Sequence, residues 1–302
     1  MGTAKVRALV VDDSAFMRKA ISCMLETDPE IEVVGAARDG AEGVELAAKL
    51  HPDIITMDIE MPGMDGLTAL RKIMESNPTP VMMISSLTSE GASATLEAFD
   101  LGAVDFIPKE MSFVSMGIVD IQNLLRSKVK DIARRKSVLM QQATWRARRT
   151  AQQNGKPPAK RSASAESETS ASGTPARTRR MSRIRREIGI IALGASTGGP
   201  PALQEVITNL PKNLPVGMIV AQHMPPRFTQ SLAERLDSMS EVTVSEAKNG
   251  DEVEPGHVYI APGGKHMIIL RNTSRPVLNI TKEPSESLYK PSVDIMMGSV
   301  LK

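Results

Sequence analysis

The sequence is poor in the residue types that mark several common protein classes. It has one cysteine, Cys23, which excludes an internal disulfide and favours a reducing compartment such as the cytoplasm. Its apolar runs are too short to span a bilayer, so we expect no membrane insertion. We also expect no signal peptide over residues 1–8, because charges lie beside an early strand. Aromatic residues make up only 3% of the chain against 41% hydrophobic residues, which indicates globular domains with aliphatic cores.

The small net charge of +2 hides an uneven distribution of charge along the chain. Residues 128–186 contain 17 Lys and Arg against 3 Asp and Glu, whereas the rest of the chain contains 20 against 32. A basic segment therefore separates two acidic parts. Because residues 126–186 are rich in Arg, Ser, Gln and Ala, we expect a basic linker that is largely disordered, although its first third, to about Arg149, could extend the preceding helix.

The parts on either side of this linker alternate between strand-like and helix-like segments. In residues 4–125, apolar or β-branched runs at 6–11, 32–36, 54–57, 81–85 and 104–107 are each followed by a segment with helical spacing. Such β–α units predict a doubly wound, five-stranded parallel sheet covered by helices on both faces. Residues 187–302 alternate in the same way and predict a second doubly wound α/β domain.

Polar residues follow the strands of the first domain, at the sheet edge where such folds build their sites. They are Asp12, Asp13, Asp58, Ser85 and Lys109. Three carboxylates at one edge repel each other unless a cation lies between them, and Mg²⁺ prefers oxygen ligands of this kind. A metal beside a carboxylate and a lysine is typical of phosphoryl transfer, with Asp58 as the oxygen nucleophile.

The first domain resembles the receiver domain of two-component response regulators. The resemblance rests on Val10-Val11-Asp12-Asp13-Ser14, on Met57-Asp58-Ile59-Glu60-Met61-Pro62-Gly63-Met64-Asp65-Gly66, and on Ser85 and Lys109. It implies that Mg²⁺ binds Asp12, Asp13, Asp58 and the Glu60 backbone carbonyl, and that Asp58 accepts the phosphoryl group. It also implies that Ser85 and Lys109 contact the phosphate and that Phe106 is an aromatic switch.

A serine lies at a strand-to-helix turn of the second domain, in Gly194-Ala195-Ser196-Thr197-Gly198-Gly199-Pro200. Small neighbours leave its hydroxyl accessible, and N–H groups at the helix start can hold an oxyanion. The same pattern also suits a serine that only caps the helix. His223 follows the next strand and could be the base that a serine nucleophile needs, with His257 and His266 as rivals.

The second domain resembles the catalytic domain of chemotaxis protein-glutamate methylesterases. The residues that carry this resemblance are the Ser196 turn, Gln222-His223-Met224, Ala261-Pro262-Gly263-Gly264-Lys265-His266-Met267 and Pro291-Ser292-Val293-Asp294. It implies hydrolysis of glutamate γ-methyl esters on chemoreceptors, and often deamidation of receptor glutamines, with Ser196 as nucleophile and His223 as base. A chemotaxis histidine kinase would be the phosphodonor.

One expected catalytic residue is absent from the sequence. The family's third triad residue is an aspartate in a Gly-Met-Gly-x-Asp-Gly segment, and the 302 residues contain no such segment. We therefore expect a C-terminally truncated, incomplete hydrolase domain over residues 187–302 and slow ester hydrolysis. Asp294 belongs to a different motif and is not a substitute.

Two other functions compete with a phosphorylation-regulated methylesterase. One is a non-catalytic regulator, in which the receiver signals and the second domain only binds partners. The other is a transcription factor, suggested by the basic linker. Since no helix-turn-helix pattern follows the linker, we expect no nucleic-acid partner.

Overall fold

The computed structural model describes residues 5–109, 118–153, 189–270, 275–287 and 289–301. The first domain is a five-stranded parallel sheet in the order β2-β1-β3-β4-β5, with helices on both faces. Its strands and helices are β1 (Val6–Val11), α1 (Ala15–Glu26), β2 (Ile31–Ala37), α2 (Gly40–Leu50), β3 (Ile54–Asp58), α3 (Gly66–Ser76), β4 (Val81–Ser85), α4 (Ser89–Leu101), β5 (Asp105–Pro108) and α5 (Ile118–Arg134).

Side-chain caps at the loop residues fix where the helices of this domain begin. Ser14, Asp39, Asp65 and Thr88 each accept a hydrogen bond from the backbone N–H three residues later. Each such cap contributes about 1 kcal/mol to helix stability. The carboxyl ends of the strands and the capped starts of the helices lie at the same edge of the sheet. The loops at this edge carry Asp12, Asp13 and Asp58.

The region expected to be a linker is helical in its first part. Helix α5 runs past residue 125, so that boundary falls inside a helix, and α6 (Lys136–Gln153) follows directly. Leu125, Val129 and Ile132 recur at helical spacing and are buried, as is Leu139 of α6. Burial of this apolar stripe offsets the conformational entropy lost when these two helices form, in the part of the segment where a helical extension was expected. The rest of the expected linker, 154–186, lies outside the described residues.

The second domain is built around a four-stranded parallel sheet in the order β6-β7-β9-β8. An antiparallel pair, β10 and β11, lies beside it. The elements are β6 (Ile190–Ala195), α7 (Gly199–Ile207), β7 (Gly217–Gln222), α8 (Phe228–Met239), β8 (Thr243–Glu246), β9 (His257–Ile260), β10 (His266–Leu270), β11 (Val277–Thr281) and α9 (Val293–Val300). Helix α9 packs so closely on β6 that a Cβ at Gly194 would overlap the Val293 side chain.

The two domains share a continuous apolar core in this structure. Phe228, at the start of α8, is fully buried and stacks on Phe106 of β5. Among the described residues, no helix has both the length and the apolar character needed to cross a membrane.

Candidate active site and phosphoacceptor site

Three carboxylates converge at the loop edge of the first domain. Asp12 follows β1, Asp58 ends β3, and one oxygen atom from each of Asp12, Asp13 and Asp58 lies within 4.8 Å of the others. Asp12 and Asp58 are buried, whereas Asp13 is exposed. The cluster is therefore a group of hard oxygen ligands at the end of the central strands and could hold a metal ion.

Lys109 compensates only part of the buried negative charge. Its Nζ lies 2.5 Å from Asp58 Oδ2 and 3.7 Å from Asp12 Oδ2. Burial still raises the pKa of Asp58 to about 6, although the hydrogen bond from Lys109 opposes the shift. Burial likewise raises the pKa of Asp12, whose Oδ2 atom is buried without a hydrogen-bond partner. The Asp12 Oδ2 atom is therefore free of hydrogen bonds and is placed to be a ligand of a bound cation.

The other receiver residues lie around this cluster. Ser85 is buried at the end of β4, where its hydroxyl donates to the Gly91 carbonyl at 3.0 Å. Glu60 is exposed; its backbone N–H donates to Asp58 Oδ1, and its carboxylate accepts from Ser86. Phe106 is buried in the apolar core on β5 rather than exposed at the loop edge. A hydroxyl engaged with Gly91 has to rotate before it can contact a phosphoryl group on Asp58.

Ser196 and His223 meet at the ends of two adjacent strands. Ala195 of β6 pairs with Gln222 of β7, so the residues that follow these strands are neighbours. Ser196 Oγ lies 3.2 Å from His223 Nδ1, and the Ser196 side chain is exposed. A histidine at this distance can accept the serine proton as the hydroxyl attacks a carbonyl carbon.

The surroundings of His223 keep its imidazole neutral near pH 7. Its pKa is lowered from the ordinary value of 6.5, first by burial and then by the positive charge of Lys128, while Asp294 opposes the shift. A neutral imidazole is the form that accepts a proton. When Ser196 Oγ donates to Nδ1, the ring proton is on Nε2.

The Ser196 turn is held by a residue that the sequence analysis quoted only as part of a motif. The buried side-chain amide of Gln222 donates to the Ser196 carbonyl at 3.2 Å. The Gly199 N–H donates to the same carbonyl at 2.7 Å, and a Cβ at Gly199 would collide with the Gln222 amide. Gly199 is therefore required by close packing at the point where helix α7 begins.

Tyr289 is a neighbour of His223 that the sequence analysis missed. The two rings are stacked, with centroids 4.8 Å apart and planes 11° apart. The rival histidines lie elsewhere: His257 contacts Ser245 across β8 and β9, and His266 is fully buried between backbone groups of Pro284 and Ser292. The Pro291-Ser292-Val293-Asp294 motif was the sequence signal that could have drawn attention to the adjacent Tyr289.

The receiver domain reaches the residue next to the candidate nucleophile. The Thr197 hydroxyl donates to Asp105 Oδ2 at 2.9 Å, and Lys128 Nζ lies 2.5 Å from the same oxygen. Further contacts join the domains at Asp100, which binds Arg235 and Gln204, and at Leu87, whose carbonyl accepts from Arg227. The β4–α4 loop, α4, β5 and α5 of the receiver thus lie against the Ser196 turn, α7 and α8.

Comparison with known proteins identifies both domains. The response regulator receiver domain family matches residues 8–116, and the CheB methylesterase family matches residues 191–302. The chain is 48% identical over 302 residues to "Protein-glutamate methylesterase/protein-glutamine glutaminase 1" of Oleidesulfovibrio alaskensis, with 97% of this chain and 79% of that protein covered. The chain belongs to the protein-glutamate methylesterase family.

Two crystal structures of single domains from Thermotoga maritima are also similar to parts of this methylesterase family member. The CheB methylesterase catalytic domain is 47% identical, with a TM-score of 0.36, and the match covers 37% of this chain and 59% of that chain. The CheB response regulator domain is 48% identical, with a TM-score of 0.40 and coverages of 43% and 97%.

Proposed function

We propose that this chain is a phosphorylation-regulated protein-glutamate methylesterase that uses Ser196 as nucleophile and His223 as general base. The observation that carries the proposal is the 3.2 Å distance between Ser196 Oγ and His223 Nδ1 at the ends of β6 and β7. Family membership supplies the substrate class, a glutamate γ-methyl ester on a methyl-accepting chemotaxis receptor.

The proposed reaction is a two-step acyl transfer. His223 Nδ1 takes the Ser196 proton while Oγ bonds to the γ-carbonyl carbon, and backbone N–H groups of the turn before α7, those of Thr197 and Gly198, would stabilise the oxyanion. The C–O bond to the methoxy group then breaks, His223 returns the proton, and methanol leaves. Water hydrolyses the acyl-serine by the same steps. A glutamine side chain forms the same acyl-serine with ammonia as the leaving group, and we include this deamidation in the proposal.

The sequence leaves the partner that orients His223 open. The aspartate segment expected for the triad is not among the 302 residues. Asp294 acts on His223 electrostatically, opposing the fall in its pKa. Loss of the orienting carboxylate from a triad lowers turnover by about 10⁴.

Asp58 is the phosphoacceptor in this proposal. Asp12, Asp13, Asp58 and the Glu60 carbonyl would hold Mg²⁺, and the orphaned Asp12 oxygen supports that ligand set. Bound there, the ion would neutralise charge on the incoming phosphoryl oxygens. An Asp58 oxygen would bond to phosphorus as the bond to the donor histidine of a chemotaxis kinase breaks. Lys109 and, after rotation, Ser85 would contact the new phosphate.

Phosphorylation would act on the contact between the domains. Asp105, Phe106 and Leu87 join the receiver to the turn of Ser196 and to α8. Movement of Ser85 and its loop toward the phosphate would alter the Leu87 contact, and movement of Phe106 would break its stacking on Phe228. We propose that this separation gives a receptor access to Ser196.

We also propose that the protein is located in the cytoplasm. Its single cysteine, Cys23, is exposed, and a free exposed thiol suits a reducing compartment.

The nucleophile assignment is tested by labelling the full chain with a small fluorophosphonate. We expect one adduct on Ser196 by mass spectrometry, none in Ser196→Ala, and at least about 100-fold slower labelling in His223→Gln, since general-base catalysis contributes about 10² to 10⁴. Methanol release from a methylated receptor fragment should fail in the same two variants. Labelling of Ser196→Ala equal to wild type would favour the alternative, a non-catalytic receiver-containing regulator.

A further inference from the structure

The His223 imidazole is covered on one face by an aromatic ring. The Tyr289 phenol lies parallel to it, with ring centroids 4.8 Å and planes 11° apart. The hydrogen bond from Ser196 requires His223 Nδ1 to face Oγ. Rotation of the imidazole out of its plane would drive it into the phenol ring. Stacking on Tyr289 therefore restricts the torsion that decides whether Nδ1 reaches Ser196.

The segment that carries Tyr289 is fixed by hydrogen bonds on both sides of the tyrosine. The Gly264 N–H donates to the Lys290 carbonyl at 3.1 Å, and the Ser292 N–H donates to His266 Nδ1 at 3.1 Å. His266 Nε2 lies 3.3 Å from the Pro284 carbonyl. The stacked ring is therefore part of an anchored loop.

The buried His266 acts as the anchor of this loop. It is 0% exposed, and burial lowers its pKa, so the ring stays neutral at pH 7. Because Nδ1 accepts from Ser292, Nε2 carries the proton and donates to Pro284. The Gly263-Gly264-Lys265-His266 segment, which the proposed catalysis does not use directly, thus holds Tyr289 in place.

We propose that Tyr289 is a positioning residue for the general base His223. Its ring holds the imidazole plane for the reaction with Ser196, and its π face stabilises the imidazolium that forms when Nδ1 takes the serine proton. The inference rests on the proposed function and extends it. A ring contact with a cation is stronger than with neutral imidazole, so this contact strengthens as the proton transfers.

Two substitutions in the full chain separate the ring from the hydroxyl. Tyr289→Phe keeps the stacked ring and removes only the hydroxyl group. Tyr289→Leu removes the ring but leaves an apolar side chain in its place. We expect the fluorophosphonate labelling rate of Ser196 at pH 7 to fall about fivefold to tenfold in Tyr289→Leu and to stay within about twofold in Tyr289→Phe. The midpoint of the rate–pH profile should shift in the leucine variant only.

Nitrogen-15 spectra of the histidine side chains provide a second measurement. The chain has four histidines, so His223 can be assigned with His223→Gln. In Tyr289→Leu, the His223 signals should lose the ring-current shift while the His266 signals stay in place. Unchanged His266 signals show that the anchored loop has kept its structure.

Several results would overturn the proposal. The first is a wild-type labelling rate in Tyr289→Leu. The second is a fall in labelling rate in Tyr289→Phe as large as that in Tyr289→Leu. The third is displacement of the His266 signals in Tyr289→Leu together with its slower labelling. A wild-type chain without Ser196 labelling would instead refute the nucleophile assignment. In that case the His223 signals still decide the contact, because unchanged shifts in Tyr289→Leu would refute positioning by the ring.

Discussion

Phe106 of the receiver domain stacks on Phe228 of the catalytic domain, with ring centroids 4.6 Å apart and planes inclined by 17°. Both rings are buried, so the contact joins the cores of the two domains. Phe106 follows Asp105, which binds Thr197 beside the nucleophile. A conformational change at Phe106 would therefore alter the contacts of the Ser196 turn and of the start of α8.

Phe228→Leu tests the contribution of this contact. Leucine keeps most of the buried apolar surface but loses the aromatic pair, which is worth about 1 kcal/mol. We expect hydrogen–deuterium exchange in residues 228–239 to become about fivefold faster while exchange in β1 and β3 is unchanged. Phe16→Leu, on the exposed side of α1, is a matched control. Equal exchange in Phe228→Leu and wild type would mean that the domains are held by their polar contacts.

Phosphorylation should loosen the same interface. With acetyl phosphate and Mg²⁺, we expect faster exchange in α7 and α8 of the wild type, because the Leu87 and Phe106 contacts are released. Asp58→Ala should show neither this change nor the mass increase of one phosphoryl group. Equal phosphate uptake by both proteins would refute Asp58 as the phosphoacceptor.

Asp13→Ala should separate metal binding from folding. Removing one of three converging carboxylates should weaken Mg²⁺ binding at least about tenfold, because affinity follows the number of charged ligands. The same change relieves repulsion with Asp12, so the metal-free protein should be slightly more stable. Calorimetric titration and thermal unfolding without metal measure the two effects. Unchanged Mg²⁺ affinity would exclude Asp13 from the ligand set.

The pH dependence of Ser196 labelling should follow the ionisation of His223. Burial and Lys128 lower its pKa below 6.5, and only the neutral ring accepts a proton. The rate should therefore rise with pH through a midpoint below 6.5 and level off above it. Lys128→Gln removes a positive charge and should raise the midpoint, whereas Asp294→Asn removes a negative charge and should lower it. Shifts of the same sign in both variants would contradict this electrostatic account.

Arg227 is held in a conformation that suits glycine. Its φ is +72° at the N-terminus of α8, while its side chain donates to the Leu87 carbonyl of the receiver. Arg227→Gly should relieve backbone strain of about 1 to 3 kcal/mol, partly offset by the entropy of glycine in the unfolded chain, and raise the melting temperature. Arg227→Ala also loses the hydrogen bond to the Leu87 carbonyl but keeps the positive φ, so its melting temperature should not rise. A higher melting temperature in Arg227→Ala would mean that the arginine side chain, and not the backbone conformation, destabilises the wild type.

The sequence determined the two α/β domains and the places where chemistry occurs. Alternating apolar strands and amphipathic helices specify parallel sheets, and carboxylates after β1 and β3 must meet at one edge of such a sheet. For the same reason, Ser196 after β6 and His223 after β7 could be paired once the strands were taken as neighbours. The apolar stripe of Leu125, Val129, Ile132 and Leu139 was present in the sequence too, in the part where a helix to about Arg149 was expected, although the basic composition around it favoured a linker.

Only the tertiary structure decided which residues from distant segments surround each site. Tyr289 reaches His223 because β10 and the loop before α9 fold back through His266, and Asp105 reaches Thr197 because the two domains pack together. Neither contact follows from local periodicity, because each joins segments whose separation is set by packing. The same burial raises the pKa of Asp58 and lowers that of His223. Residue types can be read from a sequence, but their ionisation depends on the three-dimensional surroundings that exclude water.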